Sequence, residues 1–185
     1  SGDYVGGLAG ANANFLAYGG SITNAYATGS VSGSSYIGGL VGGNSAYIGN
    51  AYATGSVIGT DYFVGGLVGT NGGDISSAYA TGSVSGGFEV GGLVGWNICS
   101  ISNAYATGSV NGGFEVGGLA GLNYGSISNS FWDTVTSRTT IGLGAGVSTD
   151  VTGKTTDVMQ TMLIFSNAGW SITNAGGSTT AIWRI

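Results

Sequence analysis

The sequence predicts an all-β chain: a right-handed parallel β-helix (β-solenoid) of about five 26-residue coils, closed by a C-terminal cap with one short helix. Three observations predict it. A string recurs at a fixed step, apolar residues come in short clusters separated by glycine, asparagine and serine, and no stripe of period 3.6 runs through the recurring unit. Gly-Gly-Leu begins at Gly6, Gly38, Gly65, Gly91 and Gly117, and Ala-Tyr-Ala-Thr-Gly-Ser-Val begins at Ala25, Ala51, Ala78 and Ala104, with Ser130-Phe131 in the fifth place. The step is 26 residues, stretched by one near Gly59-Thr60-Asp61. Leu8 and Ile22 are 14 apart where Leu40 and Ile48 are 8 apart, so the first copy carries an insertion of 14 − 8 = 6 residues around Ala13 to Tyr18.

Each unit is long enough for two or three short strands at ~3.3 Å per residue. Parallel stacking at ~4.8 Å puts equivalent residues one above another, giving a rod of roughly 25 Å before the cap. Leu8, Leu40, Leu67, Leu93 and Leu119 are expected to form an internal column. Ile22, Ile48, Ile75, Ile101 and Ile127 form a second, and Val31, Val57, Val84 and Val110 a third. Tyr26, Tyr52, Tyr79, Tyr105 and Phe131 are expected to stack as an aromatic column in which the ring, more than the hydroxyl, does the packing. Asn12, Asn44, Asn71, Asn97 and Asn123 each follow the leucine by four residues. An asparagine there bridges its own backbone and the next coil, pairing groups that burial would otherwise orphan. Asn24, Asn50, Asn103 and Asn129, with Ser77 as the substitute, make a second polar ladder.

Gly-Gly-Leu-Val-Gly-x-Asn followed by Ile-x-Asn-Ala-Tyr-Ala-Thr-Gly-Ser-Val resembles the GLUG repeat over about residues 4 to 133. The resemblance implies a large secreted bacterial surface protein, such as a filamentous-haemagglutinin-like adhesin or an IgA-cleaving metallopeptidase. Peptidase chemistry would need a His-Glu-x-x-His helix, and the chain has no histidine. What remains implied is a non-enzymatic structural or adhesive module, extracellular or on the bacterial cell surface, without a cofactor. Its partners would be a host-cell or extracellular surface ligand, protein or glycan, and the upstream part of the same polypeptide.

The repeats (1–133) end at Asp133, and 134–185 is expected to cap the last coil. Val158, Met159, Met162 and Leu163 follow helical spacing, Asp157 and Gln160 suit a capping box, and Gly169 suits a stop. Trp170, Ile172, Ile182, Trp183 and Ile185 are the candidates for closing the core. The N-terminal side enters the first repeat within five residues, from which an upstream continuation is expected.

Composition narrows the chemistry. Of 185 residues only 3 are basic and 8 acidic, for a net charge of −5. That balance argues against a nucleic-acid surface. With 40 glycines but no proline, collagen is excluded. No apolar run reaches the ~20 residues of a membrane helix, so no membrane insertion is expected. The single Cys99 permits neither an internal disulfide nor a cysteine-based zinc cluster. Glu89 and Glu115 occupy equivalent places, which makes them a calcium candidate or an acid/base pair, against the plainer reading of two solvated carboxylates. Trp96 and Leu122 stand where other copies have Ala11, Gly43 and Thr70, and with Phe88 and Phe114 they are candidate surface contacts. Buried packing is the rival reading for these aromatics. Thr28, Thr54, Thr81 and Thr107 form a rank suited to ordered water, and Arg138 with Asp133 is the one pairing that suits a carbohydrate-active β-helix enzyme.

Overall fold

The computed structural model describes residues 2–15, 18–148, 150–173 and 183–184. Each full coil supplies four short strands, more than the two or three expected, because the glycine-rich corners are tight enough to break the chain into two- to seven-residue pieces. Four parallel sheets result. One holds Val5–Gly6, Ile37–Gly38, Tyr62–Gly65, Phe88–Gly91 and Phe114–Gly117. The next runs from Ala9–Asn12 through Val41–Asn44, Val68–Asn71, Val94–Asn97 and Ala120–Asn123. The third runs from Ser21–Ala27 through Tyr47–Ala53, Ile75–Ala80 and Ser100–Ala106, and the fourth joins Val31–Gly33, Val57–Gly59, Val84–Ser85 and Val110–Asn111. Register follows the sequence repeat: Asn71 pairs with Asn97, Ile75 with Ile101 and Val57 with Val84. The insertion forms an antiparallel hairpin, Asn14 opposite Gly19 and Phe15 opposite Tyr18.

The apolar columns fill two cores. The leucines and isoleucines pack together between the second and third sheets. The valines Val31, Val57, Val84 and Val110 instead meet Ile37, Val64 and Val90 in a separate core between the first and fourth sheets. Leu40, Leu67, Leu93 and Leu119 are fully buried, whereas Leu8 is 51% exposed. Leu8 belongs to the first coil, whose outer face no described residue covers.

The first asparagine ladder is a continuous chain of side-chain amides. Nδ2 donates to the next Oδ1 from Asn12 to Asn44, Asn44 to Asn71 and Asn71 to Asn97 at 2.8 Å each, and from Asn97 to Asn123 at 2.7 Å. The inter-coil bridge is therefore amide to amide. Asn44 uses every valence: its Nδ2 also donates to the Ala46 carbonyl at 2.7 Å, and its Oδ1 also accepts from the Ala46 N–H at 3.3 Å. Cys99 occupies the same bend, donating its N–H to Asn97 Oδ1 and accepting from Asn97 Nδ2, so its place is structural.

The second polar ladder has a different cause. Asn24, Asn50, Ser77, Asn103 and Asn129 all adopt left-handed φ, between 46° and 54°, at the kink inside each long strand or beside it. Asparagine tolerates that conformation better than most side chains. One side-chain bond joins the column, Asn50 Nδ2 to Asn24 Oδ1 at 3.2 Å, while Asn103 Oδ1 is buried without a partner. These positions set backbone direction more than they bind one another.

Parallel stacking does not stop at Asp133. Leu143–Gly146 extends the second sheet beside Ala120–Asn123, and Val151–Lys154 extends the third beside Ser130–Asp133. Trp132, in register with Ala106, fills the end of the main core under Gly118, Gly142 and Gly153 and donates its indole N–H to the Thr139 carbonyl at 3.2 Å. The core is thus closed by Trp132. Trp170 instead packs outside it with Phe131, Met159 and Phe165. Ile182 and Ile185 lie outside the described residues, as does the side chain of Trp183.

The cap holds two short helices, α1 (Thr156–Met159) and α2 (Met162–Asn167), where one was expected. Thr155 is the N-cap of α1 and makes no side-chain cap bond, so the Asp157–Gln160 capping box does not form. The expected apolar face is also displaced: Met159 and Phe165 are buried, while Leu163 is 64% exposed and Val158 and Met162 are exposed. The break near Thr161 rotates the second helix away from the single-helix stripe. Gly169, at φ +79°, does end α2 as expected.

Candidate binding faces of the solenoid

Stacking in register converts each outward position into a lane along the rod. The tyrosine lane begins at Tyr26, which is 60% exposed, and continues by parallel ring stacking. Centroids are 5.1 Å apart for Tyr26–Tyr52, 4.8 Å for Tyr52–Tyr79 and 5.0 Å for Tyr79–Tyr105, with ring planes within 7°. Phe131 follows Tyr105 in register, and Phe165 and Trp170 pack over that end. Burial raises the phenol pKa values of Tyr79 and Tyr105, and each is raised further by the preceding tyrosine. Within the lane the ring faces are spent on one another, which leaves edges for a ligand.

A second lane lies at the corner between the first and second sheets. Tyr4, Tyr36, Phe63, Glu89 and Glu115 occupy equivalent positions with φ between 45° and 59°. Tyr4 stacks on Tyr36 at 4.3 Å, and Tyr36 meets Phe63 at 5.2 Å. Trp96 then closes the series by stacking on Phe63 at 5.2 Å, although its position in the unit differs. Trp96 is therefore not the free outward contact expected of it: it is half-buried, interlocked with Phe63, and its Nε1 lies buried without a partner. Leu122, in register with Trp96, is likewise half-buried. The aromatics that stay outward belong to a third lane, Tyr62, Phe88 and Phe114. Tyr62 and Phe88 stack at 4.9 Å, and Phe114 is 60% exposed.

Glu89 and Glu115 sit one coil apart in the second lane, between the register pairs Phe88–Phe114 and Val90–Val116. Burial raises the carboxyl pKa of Glu89, and the Glu115 and Asp61 charges raise it further. Its Oε2 has no partner. Among the described residues no group of three or more His, Cys, Asp or Glu converges as a metal ion would require. Asp133 does not engage Arg138: its Oδ1 accepts from the N–H groups of Val135 at 2.9 Å and Thr136 at 3.1 Å, and Arg138 is exposed. Thr28, Thr54 and Thr81 are exposed, but Thr107 is half-buried, so the threonine rank does not continue as an open flat face to the cap.

No helix among the described residues is long and apolar enough to cross a membrane. No curated protein and no solved structure matches the chain. The GLUG motif family matches residues 1–32, 63–85 and 86–111. The coil between the first two matched segments carries the same Leu40, Asn44 and Ile48 in the same register. The chain thus contains GLUG motif repeats, folded as successive coils of one solenoid.

Proposed function

We propose that the chain is a non-enzymatic structural and adhesive module of an exported bacterial surface protein, a stiff rod that carries or presents a binding surface to a host-cell or extracellular ligand. The observation that supports this reading is the in-register repetition of outward side chains. Four parallel sheets and an unbroken amide ladder fix the lanes in place, so a ligand would meet a pre-ordered row rather than a single pocket. Few charges and one cysteine suit folding outside the cell without disulfides.

The exposed Tyr62–Phe88–Phe114 lane is the surface the proposal assigns to ligand contact. Beads coated with the chain and passed over immobilised host glycans and extracellular matrix proteins are expected to be retained by one of these classes. The double variant Phe88→Ser/Phe114→Ser should lower retention by roughly tenfold, about 1.4 kcal/mol, with an unchanged thermal transition. Retention by neither class, or release of oligosaccharides from polysaccharide by the chain, would refute the proposal.

A further inference from the structure

Tyr62, Phe88 and Phe114 form one register column on three successive coils, and all three rings are exposed. Carboxylates flank this row. The Asp61 carbonyl accepts from the N–H groups of Gly87 at 3.1 Å and Phe88 at 3.0 Å, which fixes Asp61 against the strand that carries Phe88. Glu89 and Glu115 directly follow Phe88 and Phe114 in the chain, with left-handed φ of 45° and 51°. One coil earlier the equivalent pair, Tyr62 and Phe63, has ring centroids 6.0 Å apart. That backbone therefore turns two consecutive side chains to the same side, and it sets Glu89 beside Phe88 and Glu115 beside Phe114. The charges that act on Glu89 are those of Glu115 and Asp61, both of its own sign, and its Oε2 is buried without a partner. Like charges gathered on one surface cost free energy that an opposite charge docked there recovers.

We infer that this corner of the rod docks an extended segment of a partner protein through its arginine or lysine side chains. The inference rests on the assignment of the aromatic lane to ligand contact made above, and it names what the lane contacts. Charge selects the occupant. A second copy of the chain would bring carboxylate against carboxylate, an acidic glycan would add charge of the same sign, and a neutral glycan would leave the carboxylates without a counter-charge. An arginine or lysine answers both halves of the surface: its aliphatic stem lies along the rings, while its head reaches a carboxylate in a charge-assisted hydrogen bond. A guanidinium also stacks on an exposed ring. Three coils at ~4.8 Å give a lane of ~10 Å, and same-side residues of an extended segment are ~7 Å apart, so the lane seats two such side chains.

The test is calorimetric titration of the whole chain with a capped Arg-Gly-Arg-Gly-Arg peptide, and with the same peptide carrying citrulline, the neutral isostere, at each arginine. Saturable binding that weakens with added salt is expected for the arginine peptide, with the citrulline peptide at least tenfold weaker. Glu89→Gln/Glu115→Gln should weaken arginine-peptide binding at least tenfold. Asp61→Asn, which keeps the backbone carbonyl that holds Phe88, should weaken it at least threefold and guards against misfolding of the double variant. Asp74→Asn/Asp157→Asn removes the same charge from two exposed carboxylates, one at the bend beside Cys99 and one in α1, and should leave affinity within twofold. No saturation by the arginine peptide, equal affinity for the citrulline peptide, or equal losses in the two double variants would overturn the inference. Retention of coated beads by glycans without arginine-peptide binding also overturns it and leaves the adhesive reading standing. Arginine-peptide binding without bead retention supports the inference and refutes that reading.

Discussion

Asn71→Ala should lower the melting temperature by roughly 10 °C, at ~2–4 °C per kcal/mol for a chain of this size. Asn71 is 1% exposed and stands in the middle of the amide ladder, receiving from Asn44 Nδ2 and donating to Asn97 Oδ1, both at 2.8 Å. Alanine removes both bonds and leaves a buried donor on one coil and a buried acceptor on the other. Each orphaned group costs about 1–3 kcal/mol, so a loss of ~3–4 kcal/mol is expected. Because each coil touches only its neighbours, amide exchange should accelerate first in Val68–Asn71 and Val94–Asn97. Asn50→Gly is the contrast. That residue has one exposed bond to Asn24 and φ 49°, which glycine adopts freely, so its melting temperature should stay within about 2 °C of wild type. Equal losses for the two variants would show that the buried ladder carries no special weight.

Gly91→Ala should be at least as damaging. A Cβ at Gly91 would overlap the Val94 carbonyl oxygen and lie 2.7 Å from the backbone nitrogen of Gly121 and 2.8 Å from the Cα of Ala120. All three obstacles are backbone, so no side chain can swing aside. The first glycine of Gly-Gly-Leu is therefore required by the close approach of the next coil. Overpacking of this kind costs ~3 kcal/mol or more, and loss of a cooperative thermal transition by circular dichroism is the expected result. Gly72→Ala serves as the reference, since its nearest neighbour, the Asn44 carbonyl oxygen, is 3.5 Å away and its stability should change by less than ~1 kcal/mol. A Gly91→Ala variant that melts like wild type would mean that the coils are not so closely nested.

The coil stack was legible in the sequence because burial and repetition act on the same residues. Leu67, Leu93 and Leu119, or Asn71, Asn97 and Asn123, recur at the step that places them over one another. The side-chain lanes were legible only in part. Tyr4, Tyr36, Phe63, Glu89 and Glu115 share a left-handed backbone rather than a chemistry, and such a requirement leaves no residue signature when bulky side chains satisfy it. Trp96 reads as a variable surface position, yet it reaches across to the preceding coil to stack on Phe63, a contact between unlike positions that periodicity does not reveal. The continuation through Leu143–Gly146 and Val151–Lys154 rests on backbone pairing, which needs no copy of the motif. Trp132 was hidden in the same way: the unit has alanine there, and only the end of the stack has room for an indole.

The central claim is that sequence equivalents are spatial neighbours one coil apart. Ser76 and Ser102 are register partners on adjacent coils, and Ser102 is in turn the partner of Ser128. Adjacent coils are ~4.8 Å apart, within the ~4.4–6.8 Å that a disulfide spans between Cα atoms, whereas Ser76 and Ser128 are about twice as far apart. In a Cys99→Ser background, Ser76→Cys/Ser102→Cys should oxidise to an intramolecular disulfide under native conditions, and Ser76→Cys/Ser128→Cys should keep two free thiols. Ready bridging of the second pair, or none in the first, would contradict the stacked solenoid.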